Sequence, residues 1–169
     1  MRDAVQLDEL DFALLETLHT DPKIGALELS RRLRVARATV SARLRRLEES
    51  GVIAGYEPRL NLAAAGFEVQ AFVTMEIVQG ALEAITDVLE AIPGVLEAFA
   101  TTGAGDILCR IAADSHLGLQ QTLIELNRSS IVARSTSVMV LSEVVRYRAM
   151  PLLRTLQPGR TAKAPAYRR

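Results

Sequence analysis

Three observations in this 169-residue chain predict an α+β fold. A helical period runs through the first fifty or so residues, a period of two begins at Glu68, and the segments after it succeed one another as strand, helix, strand, strand, helix, strand. Together they describe an N-terminal helix-turn-helix followed by a C-terminal ferredoxin-like βαββαβ domain. The expected boundaries are 1–52 for the helical domain, 53–67 for an extended linker, 68–157 for the sandwich and 158–169 for a disordered basic tail.

Leu7, Leu10, Leu14, Leu15 and Leu18 share one face of a first helix, which stops near Asp21-Pro22 because the residue before a proline is driven out of the α region. Leu29 and Leu33 mark a second helix. A short turn at Arg34-Val35 leads to a third, from about Arg37 to Ser50, with Gly51 placed to end it in a left-handed conformation. On this third helix Val40, Leu44 and Leu47 subtend only about 60° and form the buried seam. The opposite side carries Ala38, Thr39, Ser41, Ala42, Arg45 and Arg46. Small residues let a helix backbone approach the floor of a major groove, hydroxyls bond phosphates or base edges, and arginine takes guanine bidentately. Arg32, Arg37 and Arg43 are expected to anchor phosphates.

The formal net charge of zero conceals this segregation. Arg31, Arg32, Arg34, Arg37, Arg43, Arg45 and Arg46 fall in a sixteen-residue window without an acid, whereas residues 62–157 hold six basic and ten acidic residues. A merely solvated helix can also be arginine-rich, but a surface kept only for solubility mixes signs, and acids enter here only at Glu48 and Glu49. The expectation is binding to double-stranded DNA.

After Gly51 the run Val52-Ile53-Ala54-Gly55-Tyr56-Glu57-Pro58 is too broken for a helix. Val69, Ala71, Val73, Met75 and Ile77 then alternate with Gln70, Phe72, Thr74, Glu76 and Val78 as a strand. Leu82, Ile85, Leu89 and Ile92 line a helix that ends at Pro93-Gly94. Strands over about 95–101 and 107–112 flank Thr102-Gly103-Ala104-Gly105-Asp106; a helix bearing Leu119, Leu123 and Leu126 follows, and a last strand is expected over about 135–144. Two helices cover one face of such a sheet. Phe72 and Val78 leave the other face apolar, so self-association is expected, and a dimer would present two basic helices about 34 Å apart.

Composition excludes several classes. No run approaches the roughly 18 apolar residues of a membrane span, and Asp3, Asp8, Glu9 and Asp11 make the start unlike a secretory signal, which predicts a cytoplasmic protein. One cysteine, Cys109, excludes an internal disulfide and a multi-cysteine zinc site; it alternates with Ile107 and Ile111 as a buried apolar residue would. His19 and His116 read as surface residues. No metal, cofactor or enzymatic activity is expected, since neither a phosphate loop nor a dinucleotide fingerprint occurs.

The stretch ELSRRLRVARATVSARLRRLEESGVIAGY, Glu28 to Tyr56, followed by a βαββαβ pattern with Thr-Gly-Ala-Gly-Asp at 102–106, resembles the Lrp/AsnC (leucine-responsive, feast/famine) transcription regulators from about Leu7 to Leu153. The resemblance implies a winged helix-turn-helix and a RAM domain that forms dimers and often octamers, as tetramers of dimers, with an amino acid as effector. It further implies effector contact at Gly103, Ala104, Gly105 and Asp106, whose backbone N–H groups and carboxylate suit a zwitterion, and at Ser135 and Ser137, which match the family's alternating hydroxyls. The same glycines and Asp also suit a tight turn. Two departures stand out. Ala36 occupies the usual serine cap of the recognition helix, leaving out a cap worth about 1 kcal/mol, and Arg128-Ser129-Ser130-Ile131-Val132 replaces Leu-Pro-Gly-Val before the last strand.

The resulting expectation is a sequence-selective, amino-acid-responsive transcription regulator acting as a dimer or octamer. Two alternatives remain: an architectural DNA-wrapping protein with little sequence preference, and a small-molecule-binding or enzymatic ferredoxin-like module.

Overall fold

A computed structural model of the chain describes residues 5–157; the expected basic tail lies outside them. The described chain divides into two compact units, one holding residues 5–58 together with 146–157, the other Arg59–Val145.

The first unit contains α1 (Glu9–Thr20), α2 (Ala26–Leu33) and α3 (Arg37–Glu49). Leu14, Leu29 and Val40 are wholly buried at their junction, ringed by Leu10, Leu18, Ile24, Leu33 and Leu44, as the leucine spacing predicts. Arg34 ends α2 with φ 55, a left-handed conformation in which its N–H turns back to Arg31 O and the chain reverses into α3. Ala36 caps α3 without a side-chain hydrogen bond, and Gly51 follows it with φ 76, both as expected. The segment 54–61 carries no strand.

A short C-terminal helix, α6 (Met150–Leu153, proline in its first turn), followed by a 3-10 turn (Arg154–Leu156), completes this unit. Met150 is buried with Leu15 and Leu47, with Val52, Ile53 and Leu153 packed around them. This corrects the expected boundaries: residues 146–157, assigned from sequence to the sandwich, belong with the helices because Met150 finds its apolar partners there.

The second unit is a four-stranded antiparallel sheet, β1 (Val69–Ile77), β2 (Val95–Ala100), β3 (Ile107–Ala113) and β4 (Val132–Met139), in the order β2-β3-β1-β4. Helices α4 (Leu82–Glu90) and α5 (His116–Arg128) make the two crossovers, giving the predicted ferredoxin-like topology. Ala71, Val73 and Met75 of β1 pair with Ile111, Cys109 and Ile107 of β3, and pack with Ile85, Leu89, Leu119 and Leu126 of the helices. β4 begins and ends earlier than the expected 135–144. Its partner sets its length: a bulge at Glu76/Ile77 brings Val132 opposite Ile77, and the Val140 N–H reaches Gln70 O at the start of β1, beyond which no ladder is available.

Met150→Ala is expected to destabilise the helical unit by about 2–5 kcal/mol, the usual cost of emptying a buried methionine site. Hydrogen exchange should register faster opening in α1 and α3, with the sheet amides unchanged.

Candidate nucleic-acid interface and effector loop

Helix α3 buries Val40 and Leu47, half-buries Arg43, and leaves Arg37, Ala38, Thr39, Ser41, Ala42, Arg45 and Arg46 exposed, with Glu48 and Glu49 exposed at its end. Among the described residues neither Arg37 nor Arg45 has an acidic partner. The remaining three arginines expected to meet DNA are engaged by the protein itself. Arg32 lies 3.0 Å from Asp21 and 3.5 Å from Glu28 on the surface. Arg43 donates to Asp8 and, at 3.3 Å, to Asp11, and Arg46 donates to Asp11.

These two acids were read in the sequence only as an acidic start. They form a reciprocal capping box at the head of α1: the Asp11 N–H donates to Asp8 Oδ1 at 3.0 Å, and the Asp8 N–H donates to Asp11 Oδ2 at 2.9 Å. Asp11 is wholly inaccessible, so its carboxylate is satisfied by the Asp8 N–H and the two guanidinium groups rather than by water. The Asp-x-x-Asp spacing before a leucine-rich helix was the available signal; which arginines would answer it depends on how α1 and α3 cross. At the other end of α3, Tyr56 donates to Glu48 at 2.8 Å, and burial together with that carboxylate pushes the phenol up to about 12.

The Asp11 N–H and then the Arg43 guanidinium hold the Asp8 carboxyl below its ordinary value of 3.8, while the bond to Asp8 raises Arg43. A lowered carboxyl stabilises the fold fully above that ordinary value, and the contribution is lost as pH falls through the lower native one. Thermal melts of the chain between pH 5 and about 2 should therefore show an acid-side loss of stability in α1 and α3 that Asp8→Asn makes shallower.

In the second unit, residues 102–106 form the turn between β2 and β3. Gly103 has φ 134, a conformation only glycine takes readily. Gly105 is buried, and a Cβ there would collide with Thr74 Cγ2 and meet Met75 O at 3.1 Å. The Asp106 N–H donates to Met75 O, and Asp106 Oδ2 accepts from the Ile77 N–H, both at 2.8 Å. The Asp106 carboxylate thus closes the end of β1 at its bulge, a bond to a distant strand rather than to the nearby turn amides weighed in the sequence, and one of its oxygens is already committed.

Ser135 and Ser137 share a face of β4, opposite Met75 and Val73, and Ser135 donates to Asn127 Oδ1 of α5 at 2.9 Å. They are not gathered with the glycine turn: β1 runs between β3 and β4, which sets the two groups apart by two strand spacings, about 10 Å. Ala104 is exposed in the turn. A separate concavity lies between α4 and β2, lined by Leu82, Ile85, Leu89, Val95 and Ala98, and includes none of these residues. Cys109 is buried as expected, and burial pushes its thiol up to about 11, the behaviour of a core residue rather than a nucleophile. Gly105→Ala is expected to cost the sheet unit about 1–3 kcal/mol through the collision with Thr74, measurable by denaturant unfolding.

Comparison with known proteins agrees with both units. Residues 7–54 match the model for winged helix-turn-helix DNA-binding domains, and residues 70–150 match that for the Lrp/AsnC ligand binding domain. An HTH-type transcriptional regulator of Pyrococcus abyssi is 32% identical over 143 residues, covering 85% of this chain and 90% of that protein. The leucine-responsive regulatory protein of Rhizobium meliloti is 32% identical over 124 residues, covering 72% and 80%. Among solved structures, AsnC of E. coli superposes with TM-score 0.81 at 23% identity, covering 87% of this chain and all of that one, which bears on the fold. A transcriptional regulator of Neisseria meningitidis in complex with L-Met superposes with TM-score 0.79 at 26% identity, covering 88% and 99%. The class is therefore that of helix-turn-helix transcription regulators. Within it, this chain belongs to the Lrp/AsnC family.

Proposed function

We propose that the protein regulates transcription from the cytoplasm as a dimer or larger assembly, without enzymatic activity, by laying α3 in the major groove of a pseudo-palindromic site. The observation that carries this is the outward face of α3, where arginines without acidic partners stand among small and hydroxyl side chains. Arg45 would take a guanine edge, Ala38 and Ala42 would let the backbone approach, Thr39 and Ser41 would bond phosphates or base edges, and Arg37 would anchor phosphate. Arg32 can exchange its surface acids for a phosphate at little cost. The exposed Phe72, Phe99 and Val138 on the sheet face away from α4 and α5 support association of two copies through that face.

Regulation would come from an amino acid held near Gly103–Asp106. Two relatives, of Neisseria meningitidis and of Mycobacterium tuberculosis, have been solved with L-methionine. Because Asp106 gives one oxygen to Ile77, the ammonium group would use the other. Because β1 separates the turn from Ser135 and Ser137, a second copy would be needed to close the site.

Arg45→Gln should weaken binding to the preferred site by about 10- to 100-fold and reduce the salt slope of log K by about one. Operator titrations at fixed salt test this, and equal affinity for all duplexes would favour the architectural reading instead. Calorimetry and sedimentation with L-methionine and other amino acids test the effector, which is refuted if none gives heat or alters assembly.

A further inference from the structure

Resting on the reading of α3 as the helix that meets DNA, we propose that Asp11 is a positioning residue for recognition: it holds the half-buried Arg43 and the exposed Arg46 in ion pairs and so decides which cations are free to reach the duplex. Arg43, Arg45 and Arg46 lie within one helical turn, and the field of a phosphate backbone would attract all three. Their surroundings separate them. Arg45 has no acidic partner among the described residues, whereas Arg43 and Arg46 converge on Asp11, and Arg43 also on Asp8.

The burial of Asp11 makes that engagement durable. Its carboxylate has no access to water and takes its hydrogen bonds from the Asp8 N–H, Arg43 and Arg46. Drawing either arginine away to a phosphate would leave the carboxylate short of one donor in a site water does not reach, a penalty that an exposed pair such as Arg32–Asp21 does not carry. Asp11 therefore subtracts two cations from sequence-independent attraction while leaving Arg45 free to read. It lowers binding to any duplex more than binding to the right one, which raises the contrast between them.

The test is the salt dependence of binding to a duplex of arbitrary sequence, measured on the full chain. Arg45→Gln should make the slope of log K against log salt shallower by about one, and Arg43→Gln and Arg46→Gln should leave it unchanged. Asp11→Asn should steepen it by about one to two and raise low-salt affinity for the arbitrary duplex. Glu16→Gln removes the same charge from α1 but from a pair with Arg154, and should leave the slope alone. The proposal is overturned if Arg43→Gln or Arg46→Gln matches Arg45→Gln, or if folded Asp11→Asn keeps the wild-type slope. Should Asp11→Asn fail to fold, the two arginine variants decide. A silent Arg45→Gln is a different signature: it overturns the reading of α3 itself, and this proposal with it.

Discussion

A carboxylate that water does not touch must be answered by the protein, and in the helical unit the answer given to Asp11 organises much else. Its two arginine partners both come from α3, and its third donor is the N–H of the residue that caps α1. One charge centre thus joins the start of the first helix to the flank of the third. The apolar junction of Leu14, Leu29 and Val40 sets the inner face of α3, and the Asp11 cluster settles one side of it. What is left outward and unpaired is the face of Arg37, Ala38, Thr39, Ser41, Ala42 and Arg45, with Arg46 exposed beside it but held by Asp11. Chemistry suited to a nucleic acid is displayed there because the competing cations are occupied elsewhere.

The sheet unit obeys a different constraint. Antiparallel pairing with two helical crossovers covers one face and leaves the other bare, which is why Phe72, Phe99 and Val138 are exposed on strands that are otherwise well paired. The turn between β2 and β3 is held by its own sheet: Gly105 fits because it lacks a side chain beside Thr74, and Asp106 satisfies the Ile77 N–H where the bulge interrupts the ladder. A residue type suited to binding an ammonium group is first of all a brace onto the neighbouring strand. The two uses are compatible only through the carboxylate oxygen that Ile77 leaves over.

The chain passes from one unit to the other twice, near Pro58 and near Val145. The second passage returns Met150 to the helices, where it seals Leu15 and Leu47. A small helical unit has little core of its own, so a borrowed buried methionine is a sizeable fraction of its stability.

Period and spacing alone were sufficient for the three helices, the βαββαβ order and the seam of α3, because each of these is decided by residues a few positions apart. Burial of Cys109 was legible for the same reason, from its alternation with Ile107 and Ile111. The length of β4 was not, since a strand extends as far as its partner does, and β1 lies more than fifty residues earlier. Nor was the fate of Arg43 and Arg46, which resemble Arg45 in sequence and differ from it only in facing an acid thirty-five residues from Arg46. The return of Met150, and the strand that separates Ser135 from the glycine turn, were equally out of reach. Local pattern determines which elements form and which side of each is apolar. Which charges neutralise one another, and which are left to face a ligand, is decided only when the chain brings distant residues within a few ångströms.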